Sequence, residues 1–85
     1  MDLKSFTGKV VRLTFRRPAE IEGAKALILI HSVIGSFGGT ANELFTLNDV
    51  REAIGQDGTD VADTAGLRGK PFMGSTRNIQ SVEQL

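Results

Sequence analysis

The residues able to do chemistry are few. His31 is the one histidine, and there is no cysteine, so the common zinc ligand sets cannot be assembled. His31 lies inside an apolar run, where a core histidine with one satisfied nitrogen is the expected role. Carboxylates recur at Asp49 and Glu52 and again at Asp57, Asp60 and Asp63. The first two suit the solvated side of a short helix. The second three resemble a calcium loop in spacing only, because no glutamate closes the set. Gly35-Ser-Phe-Gly-Gly-Thr40 has the glycine content of an anion-cradling loop but lacks the Gly-Lys-Ser/Thr ending that places a lysine on phosphate. A serine nucleophile would need a base to activate it, and only His31 could serve. The expectation is therefore a non-enzymatic protein that needs no cofactor.

Charge is the stronger signal. Ten basic and ten acidic side chains balance overall but are not mixed. Residues 1–17 carry Lys4, Lys9, Arg12, Arg16 and Arg17 against Asp2 alone. Residues 18–63 carry Lys25 and Arg51 against eight carboxylates, and residues 64–85 carry Arg68, Lys70 and Arg77 against Glu83. If the two ends meet in space, a basic face opposes an acidic one, and a basic face is a place for phosphate.

These side chains must be positioned by a small scaffold. Eighty-five residues make one domain, spanning 1–85, that buries only about 60–65% of its unfolded surface. With no cysteine to staple the core, homo-oligomerisation is the expected supplement. No apolar stretch follows the early charges of Met1-Asp-Leu-Lys4, and the run 24–34 is shorter than the roughly 20 residues a membrane helix needs. The expectation is a cytoplasmic protein without a membrane partner.

Val11, Leu13 and Phe15 alternate with Arg12, Thr14 and Arg16, the period of a half-buried strand. Pro18 is expected to end it. Residues 24–34 read as a second, buried strand, since Ile28, Ile30, Val33 and Ile34 are β-branched, although a buried helix has the same apolar content. Arg17–Gly23 then forms a loose hairpin loop and Gly35–Asn42 a glycine-rich loop. Leu47, Val50 and Ile54 recur at helical spacing after Thr46, and Gly55 suits a C-terminal cap, which predicts a short helix over 47–54. The competing reading is a strand over 43–50. Residues 55–66 read as an exposed, mobile acidic loop, followed by strands near 70–73 and 77–83 that turn at Gly74-Ser75. The core is expected from Val11, Leu13, Phe15, Leu27, Ile28, Leu29, Ile30, Val33, Leu47, Val50, Ile54 and Ile79. The fold class is a β-rich α+β domain: a small bent antiparallel sheet, or an SH3/Sm-like barrel, with one short helix.

Phe6-Thr-Gly-Lys-Val-Val-Arg-Leu-Thr-Phe15 followed by Glu20-Ile-Glu-Gly23 resembles the opening strands of the Sm-like (LSm) family. Asn42 with Leu47-Asn-Asp-Val50 is similar to that family's Asn…Leu-x-Asp-Val segment, and Arg77-Asn-Ile-Gln-Ser-Val82 to its final Arg-Gly-x-x-Ile strand. Asn replaces the glycine after Arg77, and 24–41 is longer than the family's strand join. The resemblance implies a ring-shaped oligomer that binds single-stranded RNA, with Asn42 and Arg77 nearest the bases and Phe37 the available stacking ring. The expected contact set is Lys9, Arg12, Arg16, Arg17, Asn42, Arg68, Lys70 and Arg77. The alternative is a small structural or adaptor protein of phage or mobile-element type, acting by protein contact, with either the acidic 57–63 loop or the basic first strand as its contact surface.

Overall fold

Val11, Leu13 and Phe15 point inward from the first strand, as their alternation predicts, and all three are buried. In the computed structural model, which describes residues 2–23 and 26–85, this strand is β1, Val10–Glu22. It is followed by β2 (Leu27–Ala41), β3 (Leu44–Gly55), β4 (Phe72–Ser75) and β5 (Ile79–Gln84). All pairings are antiparallel, in the order β4-β3-β2-β1-β5. The sheet is not closed: no ladder joins β4 to β5, which are linked by a single 3-10 turn at Thr76–Asn78. A second 3-10 turn, Leu3–Phe6, precedes β1, capped by the Asp2 carboxylate on the Lys4 N–H.

No α-helix occurs among the described residues, so the short helix expected over 47–54 is corrected to strand β3. The reason lies in the register. Ile34 pairs with Glu52 and Ser36 with Asn48, so two steps along β2 match four along β3. The extra residues bulge at Asp49, which stands in the left-handed region at φ 51°. Phe45 and Leu47 point inward before the bulge, Val50 at it, and Ala53 after it. A strand whose alternation slips phase at a bulge imitates helical spacing.

The glycine-rich segment is likewise strand rather than loop. β2 runs through Gly35 to Ala41, and the glycines mark close approach. A Cβ on Gly35 would lie 2.8 Å from the Asn48 carbonyl and 2.9 Å from Leu47 Cγ. Pro18 does not end β1 either. The ladder to β2 passes from Thr14↔Ser32 to Ala19↔Ile30, which leaves Phe15–Pro18 looped out of that pairing. There the Asn78 side chain substitutes for a neighbouring strand, accepting from the Arg17 N–H at 2.9 Å and donating to the Arg17 carbonyl at 3.0 Å. The strand reading for 24–34 holds from Leu27 onward; Ala24 and Lys25 lie outside the described residues.

The core centres on Phe15, Phe45 and Phe72, whose ring centroids stand 5.8 to 6.2 Å apart. Val11, Leu13, Ile30, Val33, Leu47, Val50 and Ile79 are buried as expected. Leu27 is 60% exposed, and Ile28 and Leu29 are half-buried, because β2 runs past the end of β3 at Ile30↔Gly55; Ile54, within β3, is half-buried as well. Phe37, Phe45, Ala53, Ala62, Leu67 and Phe72 complete the core.

Candidate nucleic-acid interface

Asn42 and Glu43 form the two-residue turn between β2 and β3, both left-handed, at φ 52° and 66°. The 3-10 turn before β5 packs on this tip. Thr76 donates its N–H (2.8 Å) and hydroxyl (3.1 Å) to the Glu43 carbonyl, and Arg77 Nη2 lies 2.8 Å from Glu43 Oε1. The next residue, Asn78, holds the Arg17 backbone. A continuous set of contacts therefore runs from the exposed Arg16-Arg17 pair in the β1 bulge, through Asn78 and Arg77, to Glu43 and Asn42. Beside it, Asp2, Lys4, Thr40, Glu43 and Thr76 line an open depression of about 270 Å³.

The other expected contacts lie apart from this tip. Arg12 pairs with Glu83 of the adjoining β5 at 2.7 Å. Lys9 is exposed at the start of β1, and its carbonyl accepts from the Phe37 N–H. Lys70 is exposed at the outer side of β3, with its carbonyl accepting from the Val50 N–H. Arg68 serves as a latch within residues 56–71: Nη2 meets Asp60 Oδ2 at 2.9 Å, Nε meets Asp63 Oδ1 at 2.6 Å, and Nη1 donates to the Arg51 carbonyl. Thus three of the seven basic residues in the expected set are held by carboxylates, while Lys9, Arg16, Arg17 and Lys70 make no ion pair among the described residues.

The acidic loop is tied down rather than loose. Asp60 Oδ1 accepts from the N–H groups of Ala62 and Ala53, Gly69 donates to the Val50 carbonyl, and Ala62 and Leu67 are buried beneath. The Ala62 N–H and the Arg68 guanidinium hold the Asp60 carboxyl below its ordinary range. The Thr59 hydroxyl and N–H do the same for Asp57, and Asp63 and Asp60 push Arg68 further up.

Two other expectations are corrected. His31 is exposed, because it sits at a register shift between Ile30 and Ser32 and turns away from the core. Phe37 is buried, with 1% of its surface exposed, so it cannot stack a base. Sequence reasoning missed Glu43, Asn78 and Glu83. The one local signal was the Asn42-Glu43 pair, with asparagine suited to a left-handed turn.

Among the described residues no helix is long and apolar enough to cross a membrane, and no three His, Cys, Asp or Glu side chains are grouped to hold a metal. No protein-family model matches this chain, and no curated protein or solved structure matches it significantly.

Proposed function

We propose that this chain is a non-enzymatic, oligomeric binding module of Sm-like build, contacting single-stranded RNA through the basic tip formed by Arg16, Arg17 and Arg77 beside Asn42. The observation that carries this reading is the junction of the β2–β3 turn with the turn before β5. It joins two segments, at Asn42-Glu43 and Arg77, that the family resemblance places nearest the bases. A five-stranded antiparallel sheet whose last strand returns to the first suits the same resemblance. Arg16 and Arg17, exposed and in no ion pair among the described residues, supply phosphate-binding charge without first breaking one.

Assembly is supported by the sheet edges. β4 and β5 are different, uncapped edges of one open sheet, with Met73 61% exposed on the first and Leu85 55% exposed just past the second. Unlike edges meeting head to tail generate a ring when the rotation closes.

A second reading, an adaptor acting by protein contact, is favoured by the engagement of Arg12, Arg68 and Arg77 with carboxylates, which lowers the charge left for phosphate. Light scattering of the purified protein, with absorbance at both the nucleic-acid and protein maxima, separates the two. A closed ring carrying nucleic acid supports the first. A monomer or dimer free of nucleic acid removes it and leaves the adaptor.

A further inference from the structure

The far end of the β1–β2 hairpin overhangs the rest of the sheet. Leu27, Ile28 and Leu29 pair with Glu22, Ile21 and Glu20 of β1, but the ladder to β3 begins only at Ile30. Among the described residues one edge of β2 is therefore without a strand partner over these three positions. Gly23 donates its N–H to the Ala26 carbonyl at 3.0 Å, which makes that a hydrogen-bonded pair. By the alternation of antiparallel ladders, the Leu27 amide and carbonyl then face away from β1, toward the open edge. Beside this edge lies a groove of about 310 Å³ formed by Leu27, Ile28 and Leu29 on one side and Gln56, Asp57 and Val61 on the other.

Among the described residues the chemistry around the groove is one-sided. Glu20 and Glu22 stand directly across from Leu29 and Leu27, on the same face of the hairpin. Asp57 closes the opposite rim. None of the three is in an ion pair among the described residues. On the other face Ile28, opposite Ile21, leads to the core.

We propose that this overhang is a docking site for an extended, basic segment of another protein, which adds a short strand to the open edge of β2. Main-chain hydrogen bonds supply the attachment, as in other strand-addition complexes. Side chains of such a strand alternate between the two faces. Lysine or arginine on the outer face lays its stem over Leu27 and Leu29 and reaches Glu22 and Glu20 with its charge. Apolar residues on the inner face meet Ile28 and Val61. A second copy related by a two-fold axis is disfavoured, since it would set Glu20, Glu22 and Asp57 against their own counterparts. The site is separate from the basic tip and does not rest on its function.

The test is an amide-resolved NMR titration of the full chain with a blocked Lys-Val-Lys-Val-Lys peptide. Saturable shifts are expected at Leu27–Leu29, Gln56, Asp57 and Val61. Glu20→Lys with Glu22→Lys should weaken binding about tenfold or more while leaving the thermal melt unchanged, both side chains being exposed. Arg16→Glu with Arg17→Glu should leave it intact. A Glu-Val-Glu-Val-Glu peptide, and a basic peptide methylated on alternate backbone nitrogens, should not bind. The proposal is overturned by the absence of saturable shifts, by equal binding of the acidic or methylated peptide, by full affinity in the double glutamate variant, or by the same shifts arising from protein concentration alone.

Discussion

Arg77 Nη2 meets Glu43 Oε1 at 2.8 Å, and the Glu43 it holds stands in a left-handed backbone conformation at φ 66°. A two-residue turn with both centres left-handed favours Asn-Gly, and a glutamate there costs on the order of 1 kcal/mol. The ion pair is largely exposed, and such a pair offsets at most about 1 kcal/mol. What holds the residue in place is mainly Thr76, which caps its carbonyl through both N–H and hydroxyl.

Replacing Glu43 by glycine keeps the carbonyl and removes the strain. Glu43→Gly is expected to leave stability unchanged or raise it by up to about 1 kcal/mol in urea unfolding. It also releases Arg77. On the proposed function, Glu43→Gly and Glu43→Gln both retain nucleic acid more tightly than the native chain, measured by filter binding. A loss of affinity in both variants would count against Arg77 as a phosphate ligand.

Arg16→Glu with Arg17→Glu reverses the charge at the tip without touching an ion pair among the described residues. Nucleic-acid retention is expected to vanish while circular dichroism and melting stay native, because both side chains are exposed. The same change at Arg12 is a poorer test, since it sets a carboxylate against Glu83. Binding by the native protein should fall steeply with added salt if phosphate contacts carry it. Retention that ignores both charge reversal and salt would point to the adaptor reading.

Gly35→Ala tests the close passage of β2 over β3. The new methyl group would sit 2.8 Å from the Asn48 carbonyl, and backbone cannot move aside as a side-chain tip can. A loss of about 1–3 kcal/mol in chemical denaturation is expected, the range for overpacking. A neutral result would mean that the two strands part easily at the β3 bulge.

The Arg68 latch gives a prediction in pH. Asp60 has its folded-state pKa below the ordinary value of 3.8. The unfolded chain therefore binds the proton more readily, and the stabilisation is complete above that value and lost as pH falls through the depressed one. Asp57 acts in the same direction through its Thr59 contacts. Protection of the Ala53 and Ala62 N–H groups, which donate to the Asp60 carboxylate, should fall on acidification below pH 3.8, read as exchange relative to the unprotected rate at each pH. In Arg68→Ala that loss of protection begins at higher pH. Identical profiles for the two proteins would show that Arg68 does not set the carboxylate.

The sequence by itself determined that the chain is β-rich, which face of β1 is buried, that β2 follows as an apolar strand from Leu27, and that two short strands follow β3, although the turn expected at Gly74-Ser75 falls at Thr76–Asn78 and Gly74-Ser75 belong to β4. These follow from alternation and β-branching, which are local. It could not determine that Gly35–Ala41 is strand, because those glycines are required by the distance to Asn48 and Leu47, which no local pattern encodes. It offered β3 only as the competing strand over 43–50, since the bulge at Asp49 shifts the alternation of Phe45 and Leu47 onto Val50 and Ala53 and leaves a helical spacing behind. Pro18 sits within β1 because the Asn78 side chain, sixty-one residues from Arg17, replaces the missing strand partner there. The charges show the same division. Their separation along the chain is a property of sequence, but which of them stay unpaired was decided by folding, which set Glu83 beside Arg12, Glu43 beside Arg77, and Asp60 and Asp63 beside Arg68.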